Sequence, residues 1–209
     1  MRRSALEKNG SYSFPEVFPG IKNCFMEKGA TALVPAGGIS MWILDNMKIA
    51  VQSAFGEEVL LIRGPEGEWA GSFGDRRQQA PASDFIRQLA PLRMAFDRVL
   101  GVVNTGISHP GVNHVFGLAD PESRVAVMSL HHLGRKGETP IKIARRASKT
   151  AIHELGHSYG LRHCMDHRCV MFFSFNLADT DYKSSEFCGK CRKEVVFLLK
   201  PGAQKQKEV

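Results

Sequence analysis

The sequence predicts an α/β fold in which a sheet and its helices fill most of the chain and a small, irregular subdomain follows. Three observations predict this class. Residues 31–64 alternate strand, helix and strand patterns, residues 139–160 carry a long helical pattern, and regular apolar spacing largely stops after Gly160. We therefore divide the chain into an N-terminal extension (1–29), an upper subdomain (30–160) and a lower subdomain (161–209).

The upper subdomain is predicted to open with a strand, a helix and a second strand. Residues 31–37 form a short apolar run before a turn, and "ISMWILDNMKIAVQSAF" (39–55) has the spacing of an amphipathic helix closed by Gly56. The second strand is "EEVLLIRG" (57–64). This order predicts a right-handed βαβ unit with a parallel pair of strands.

A loop, a helix and three strands are predicted next. "GEWAGSFGDRRQQAP" (67–81) is a glycine-rich loop, and Ser83 is expected to cap a helix that Pro91 kinks or breaks. The three strands are "VLGVVN", "NHVFGLAD" and "RVAVMSLHHL", and a turn at residues 120–123 joins the last two.

Residues 139–160 are predicted to form the longest helix. Thr139 can cap it and Pro140 suits its first position. Small residues recur along it at spacings of three and four, so one face can lie close to a sheet. These residues are Ala144, Ala147, Ala151 and Leu155. Within the lower subdomain, only residues 188–200 predict a further helix.

The composition excludes several classes of protein. A chain of 209 residues with 43% hydrophobic and 23% charged residues is an ordinary globular protein that can bury a core without disulfides. No apolar run is long enough for a secretory signal or a membrane span, so we expect a cytoplasmic protein without a membrane partner. The net charge of +7 is spread along the chain, which favours a solvated basic surface over a nucleic-acid site. A monomer is favoured.

A cluster of metal-ligand residues begins on the long predicted helix. His153 and His157 are four residues apart, which places their imidazoles about 40° apart on one helical face. Gly160 can adopt a left-handed backbone and end the helix. The chain can then turn back and bring His163 in as a third ligand of the same ion.

Three neutral imidazoles leave one position of a tetrahedral zinc ion open for water. Zinc would lower the pKa of that water towards about 7 and polarise a substrate carbonyl. Glu154 lies about 100° further round the helix, too far to ligate beside the histidines, but it can take a proton from the water and pass it to a leaving amine. This is the chemistry of peptide hydrolysis, and packing alone does not require such spacing.

Four of the five cysteines form a second cluster. Cys188 and Cys191 make a Cys-x-x-Cys knuckle, and Cys164 and Cys169 make a looser clip. A closed set of four thiolates is typical of structural zinc, whose binding would supply much of the folding free energy of this segment. A redox dithiol and two disulfides remain alternatives, although cytosolic thiols and the loop before Cys188 favour zinc. We therefore predict two zinc ions per chain.

The two clusters meet at the adjacent residues His163 and Cys164, so one residue can face each ion and fasten the two sites together. His167 lies inside the cysteine clip and could replace a cysteine, but a surface position is favoured. Cys24 is isolated, and a buried or free thiol is expected there.

The string His153-Glu154-x-x-His157-x-x-Gly160-x-x-His163 resembles the metzincin clan of zinc metalloproteases. Its continuation, Cys164-x₄-Cys169-x-Met171 and then Cys188-x-x-Cys191, is similar to the archaemetzincin family within that clan. Upstream, "VFGLAD" and "RVAVMSLHHL" also resemble the strands before the active-site helix in this family, whereas residues 1–29 have no recognisable counterpart.

The resemblance implies a mixed, twisted sheet backed by helices above a cleft, with a smaller lower subdomain. It implies that the three histidines bind catalytic zinc, that Glu154 is the general base, and that Met171 is the hydrophobic floor called the Met-turn. The sequence alone equally allows Met171 to be core packing. Residues 115–120 would form an antiparallel edge strand, and strand addition at its first three residues could hold an extended peptide. Those three residues are Val115, Phe116 and Gly117.

We therefore predict a zinc-dependent peptidase that acts on peptide or protein substrates. The main alternative is a non-catalytic zinc protein that binds peptides or a partner through the same cleft, although the intact Glu154 speaks against it. Nucleic-acid binding through the four-cysteine module is a third possibility. Four histidines lie outside the signature, and core or surface positions are favoured for them over the border of the cleft. They are His109, His114, His131 and His132.

Overall fold

A five-stranded mixed sheet forms the centre of the computed structural model, which describes residues 29–63 and 79–200. From one edge to the other it contains β2 (Glu58–Leu61), β1 (Ala30–Ala36), β4 (Arg98–Val103), β8 (Val125–Ser129) and β7 (Gly117–Asp120), numbered in chain order. The first four are parallel, and β7 is an antiparallel edge strand. The predicted mixed α/β class is confirmed.

The first three elements agree with the sequence prediction. Helix α1 (Met41–Phe55) lies between β1 and β2, and these two strands pair in parallel. Gly56 ends the helix with a φ of 71°, the left-handed conformation that glycine adopts without a Cβ penalty.

A second, three-stranded sheet was not predicted. It contains β3 (Gln79–Pro81), β5 (Gly106–His109) and β6 (Val112–Val115), in the order β3-β5-β6. The predicted loop at 67–81 therefore ends in a strand, while its first twelve residues lie outside the described part of the chain. Parallel pairing of β3 with β5 places this short segment in the sheet.

The predicted cap at Ser83 is wrong. Helix α2 spans Ala82–Leu89, and Pro81 occupies the capping position without a side-chain hydrogen bond. The fixed φ of proline already suits a helix entry, so no capping side chain is required. The break at Pro91 is confirmed, because a 3₁₀ helix (Ala90–Met94) follows α2.

The segment "NHVFGLAD" is two strands rather than one. Phe116 separates β6 from β7, and the two strands join different sheets. Val115 therefore belongs to β6, and the edge strand of the main sheet begins at Gly117. The next predicted strand also ends early, because β8 stops at Ser129 and residues 131–133 form a turn.

Helix α3 (Pro140–Ser158) begins as predicted, since the Thr139 side chain accepts a hydrogen bond from the Lys142 backbone N–H and Pro140 follows it. α3 and α1 bury one face of the sheet, where Leu33, Leu100 and Ala151 belong to one apolar cluster. α2 covers the other face, where Val34 and Val99 pack with Phe85. The sheet is therefore enclosed between two helical layers, as parallel strands require.

The lower subdomain is less irregular than predicted. Helix α4 (Leu177–Tyr182) was missed, although Asn176 and Asp179 form a capping box at its start. Helix α5 (Gly189–Leu198) confirms the predicted terminal helix, and Val195 and Leu198 anchor it in the main core. Among the described residues, the helices are too short or too polar to cross a membrane.

Candidate metal centres

The end of α3 brings three histidines together. His153 and His157 lie one turn apart, and Gly160, with a φ of 92°, reverses the chain so that His163 approaches them. The Nε2 atom of His157 is 3.1 Å from the Nε2 atoms of both His153 and His163. Two nitrogens at this separation subtend roughly 100° at an ion placed at the usual Zn–N distance of about 2.0–2.1 Å. The three donors therefore fit one zinc ion.

Backbone carbonyl groups orient two of these rings. Nδ1 of His153 lies 2.8 Å from the carbonyl oxygen of Val170, and Nδ1 of His157 lies 2.8 Å from that of Leu161. A carbonyl oxygen can only accept, so Nδ1–H must donate and each Nε2 keeps its lone pair. Both lone pairs thus remain available to a metal ion.

Burial keeps these histidines neutral. It lowers the pKa of His153 well below its ordinary value, with repulsion from the Lys183 ammonium adding to the effect. Burial also lowers the pKa of His157 to about 4 and lowers the pKa of His163. Because an imidazole must lose its proton before it binds a metal, the site needs little deprotonation at neutral pH.

Glu154 points its carboxyl group at the edge strand. The residue is only 6% exposed, and a Cβ built at Gly117 would lie 2.4 Å from its Cδ atom. Burial raises the pKa of Glu154 to about 8, while the ammonium group of Lys183 acts in the opposite direction. A carboxylate in such a place accepts a proton readily, which is what a general base requires.

Lys183 is a site residue that the sequence did not reveal. Its ammonium group is buried, donates a hydrogen bond to the carbonyl oxygen of Phe172 at 3.0 Å and lies 3.4 Å from Nδ1 of His153. Burial lowers its pKa to about 8, whereas attraction to Glu154 opposes that shift. A single lysine in a loop carries no sequence signal, so only the fold could place it here.

Met171 packs against α3 at Gly156, a residue that lies between His153 and His157 in the sequence. Its side chain is fully buried, and a Cβ built at Gly156 would lie 2.5 Å from its Sδ atom. The glycine therefore permits a close approach of the thioether to the helix backbone.

The four cysteines 164, 169, 188 and 191 form a second donor cluster. Their Sγ atoms all lie within 4.8 Å of one another, and those of Cys164 and Cys188 are 3.8 Å apart. A tetrahedral ion with Zn–S bonds of about 2.3 Å would separate two sulfurs by about 3.8 Å, so the set fits zinc. All four thiols are free, so the alternative of two disulfides is wrong.

Backbone groups support this cluster. Cys188 occupies the N-cap of α5, and its N–H donates to Sγ of Cys169 at 3.3 Å. Burial opposes ionisation of Cys188, but hydrogen bonds from the Cys191 backbone and the neighbouring thiols outweigh it and lower its pKa. His167 is exposed and packs on Phe172 instead of joining the sulfurs, as expected. Cys24 lies outside the described residues.

A cleft of about 1090 Å³ runs between the edge strand and the lower subdomain. The three histidines and Glu154 line it, and so do the predicted peptide-binding residues Val115, Phe116 and Gly117. Two aromatic side chains form part of its lower wall. The Phe173 ring lies 4.8 Å from that of His163 and 4.6 Å from that of Phe175, which is 82% exposed.

The expectation for three other histidines is wrong. His114, His131 and His132 line the cleft instead of lying in the core or on an outer surface. They come from β6 and from the turn after β8, two segments whose meeting point the sequence does not reveal. His109 is exposed and lies outside the cleft, as expected.

Comparisons with known proteins agree with this geometry. The family model for Peptidase family M54 matches residues 65–196. The archaemetzincin of Pyrococcus abyssi is 38% identical over 177 residues, which cover 80% of this chain and 94% of that protein.

Solved structures give the same result. The crystal structure of archaemetzincin from Methanopyrus kandleri has a TM-score of 0.72 and 35% identity, covering 81% of this chain and 94% of that one. A zinc-dependent peptidase from Methanocorpusculum labreanum shares the fold, with a TM-score of 0.70, 24% identity and coverage of 79% and 99%. The chain therefore belongs to the archaemetzincins, peptidase family M54, and is a zinc metallopeptidase.

Proposed function

We propose that His153, His157 and His163 hold the catalytic zinc ion and that Glu154 is the general base for peptide hydrolysis. The observation that carries this assignment is the convergence of three Nε2 atoms, with that of His157 3.1 Å from each of the other two, beside a buried carboxyl group. Packing alone would not favour this arrangement, because nitrogens without a proton cannot form hydrogen bonds with one another.

The roles of the side chains follow from their positions. A zinc ion at this site would polarise the scissile carbonyl group and lower the pKa of an attacking water molecule. Glu154 takes the proton of that water and transfers it to the leaving nitrogen. Burial raises the pKa of this carboxyl group, so its ionised form is a stronger proton acceptor and its protonated form can hold the proton until it is transferred. Lys183 contributes a positive charge beside the carboxylate and holds the Phe172 carbonyl in place.

The edge strand β7 would hold the substrate in an extended conformation. It ends the main sheet, and no described strand pairs with its outer edge, which faces the cleft along Gly117, Leu118 and Ala119. An added peptide strand would therefore pass over Glu154 and the three histidines. Phe116 and Val115 continue the same wall towards the second sheet.

The four cysteines would bind a second, structural zinc ion. The chain from His163 to Met171 crosses both centres, and the backbone N–H of Cys164 donates to the carbonyl oxygen of Met171 at 2.9 Å. An ion held by Cys164, Cys169 and α5 would therefore fix the segment that supplies the third histidine ligand. Met171 would serve as the Met-turn floor beneath the catalytic ion.

Peptide hydrolysis by Glu154→Gln tests the catalytic assignment. The assay uses peptides with free and with blocked termini, with and without a chelator, and the exposed residue Glu58 supplies a control variant, Glu58→Gln. We expect the wild type and the control to cleave peptides and to lose activity with chelator. Glu154→Gln should keep its zinc and lose turnover by about a hundredfold or more, the usual contribution of a general base. Unchanged turnover in this variant contradicts the assignment.

A further inference from the structure

The upper rim of the cleft carries three histidines that the catalytic proposal does not use. We call His114, His131 and His132 the rim histidines. The ring of His132 lies 4.6 Å from the rings of both His114 and His131, at interplanar angles of 80° and 81°. All three line the same cleft as Glu154.

The rim histidines do not form a third metal site. In residues 29–63 and 79–200, only two groups of three or more donor atoms lie close enough to share an ion, and neither contains a rim histidine. The Nε2 atom of His132 is nevertheless buried without a hydrogen-bond partner. Such an atom costs about 1–3 kcal/mol unless a bound group or water satisfies it. The rim histidines therefore have an unsatisfied hydrogen-bonding atom but no arrangement for a shared cation.

The rim is held in place by contacts on both sides. The side-chain nitrogen of Gln79 lies 2.7 Å from Nδ1 and 3.0 Å from Nε2 of His114, which leaves His131 and His132 as the main hydrogen-bond donors of the rim. The backbone N–H of His131 donates to Ser129 Oγ at 3.1 Å. The buried guanidinium of Arg146 donates to the Leu133 carbonyl oxygen at 2.8 Å, which fixes the turn after His132. These contacts preorganise the rim before any ligand arrives.

The charges around the cleft favour an anion. Arg135, Arg162 and Lys183 line it, and Glu154 is the only carboxylate among the described residues that do so. A free peptide amino terminus would find no carboxylate here beyond the proposed base. A carboxylate would find N–H donors on imidazoles in a field of positive charge, and charge-assisted hydrogen bonds of this kind are the strong ones.

The direction of β7 places the rim on one side of the scissile bond. Antiparallel pairing is slightly more stable than parallel pairing, so an added peptide would run opposite to β7. Its C-terminal residues would then lie near the start of β7, beside Phe116 and Val115. His114 immediately precedes Val115, so the rim histidines face the C-terminal side of the bound peptide.

We propose that the rim histidines form a subsite for a peptide carboxylate on the C-terminal side of the cleaved bond, an inference that rests on the proposed function. The carboxylate is either the free C-terminus of a short substrate or an Asp or Glu side chain near the cleavage point. Both kinds of carboxylate present the same pair of anionic oxygens, which would accept hydrogen bonds from imidazole N–H groups.

Matched peptides separate the two sources. One series compares a free C-terminus with its amide, and a second replaces Asp by Asn at each of the two positions after the cleaved bond. We expect kcat/KM of the wild type to fall about tenfold to a hundredfold when the recognised carboxylate is removed. A drop on amidation identifies the terminus, and a drop on Asp→Asn identifies a side chain. Equal kcat/KM for all these peptides overturns the subsite and leaves the catalytic assignment standing.

Variants test the residues themselves. His132→Ala should reduce the ratio of kcat/KM between the carboxylate and neutral peptides towards one, and His131→Ala should reduce it in part. His109→Ala, at an exposed position outside the cleft, should keep the wild-type ratio. Preserved discrimination in His132→Ala, with zinc content unchanged, contradicts the proposal.

A binding measurement separates failure of the subsite from failure of the catalytic assignment. Calorimetric titration of zinc-loaded Glu154→Gln with the same peptides needs no hydrolysis. Tighter binding of the carboxylate form supports the subsite even if no peptide is cleaved by the wild type. Equal affinity for the carboxylate and neutral forms overturns the proposed subsite, and this conclusion does not depend on the peptide turnover of the wild type.

Discussion

Gly117 of the edge strand lies directly against the carboxyl group of Glu154. A Cβ at this position would be 2.4 Å from both Cγ and Cδ of the glutamate, far inside van der Waals contact. Because Gly117 has no side chain, the carboxyl group can lie this close to the strand that is proposed to bind the substrate. A single methyl group at this point should separate catalysis from metal binding.

Gly117→Ala should displace Glu154 and reduce peptide turnover by about a hundredfold or more, the loss expected when a general base is misplaced. The zinc content should stay at the wild-type value, since the three atoms nearest to this Cβ position all belong to Glu154 and none to a histidine. Turnover and metal analysis on the same preparation check this. Gly38→Ala is the control, because a Cβ there meets nothing within 4 Å. Wild-type turnover in Gly117→Ala would show that Glu154 does not act from the position described.

Gly156 and Met171 form the second close contact. Gly156→Ala places a Cβ 2.5 Å from the Met171 Sδ atom in a fully buried site. Overpacking costs about 1–3 kcal/mol, and the better helix propensity of alanine returns up to about 1 kcal/mol. We therefore expect a lower free energy of unfolding in urea at a fixed zinc concentration.

A double-mutant cycle with Met171→Ala checks the origin of this loss. The single Met171→Ala change should cost about 2–5 kcal/mol through the cavity it leaves. The double variant should be destabilised by less than the sum of the two, because the alanine methyl then occupies vacated space. Strict additivity would show that the thioether does not limit position 156.

The loop that carries His131 and His132 depends on an ion-pair network around the buried Arg146. Arg146 donates to both carboxylate oxygens of Glu138 at 2.5 and 2.9 Å and to both of Asp181 at 2.7 Å. Hydrogen bonds from Arg146, and next from Lys142, lower the pKa of Glu138 to about 2. Its folded-state pKa thus lies below its ordinary value of 4.5. This carboxylate therefore stabilises the fold above about pH 4.5, and that contribution is lost as the pH falls towards 2.

Glu138→Gln should consequently lower the melting temperature most at neutral pH. The difference from the wild type should shrink between about pH 5 and pH 2, where the wild-type carboxylate also becomes protonated. Thermal unfolding across this range measures it, and taking the difference cancels acid effects common to both proteins. Glu122→Gln, at an exposed residue, is the control. A difference that grows as the pH falls would contradict the assigned network.

Local signals explain why much of the fold could be predicted. The capping Thr139, the first-turn Pro140 and the left-handed Gly160 define α3 through backbone chemistry that acts within a few residues. The spacing of His153 and His157 then follows from helical geometry alone. The same holds for α1 and its closing glycine at 56.

The features that escaped prediction depend on contacts distant in sequence. β3 has three residues and β5 has four, so both are too short to show an apolar alternation. Lys183 lies 30 residues from His153 in the sequence, and it becomes buried only because the fold brings the two side chains together. α4 is different, since its capping box of Asn176 and Asp179 was a readable local signal.

Zinc content measured on the wild type, His157→Ala and Cys188→Ala tests the central claim most directly. The two donor clusters share no ligand, so we expect two zinc ions per wild-type chain and one in each variant. The ion lost from His157→Ala should be the one that peptide hydrolysis requires, and the ion lost from Cys188→Ala should be the one that stabilises the lower subdomain. Two zinc ions retained in His157→Ala would contradict the assignment of the histidine cluster as the catalytic centre.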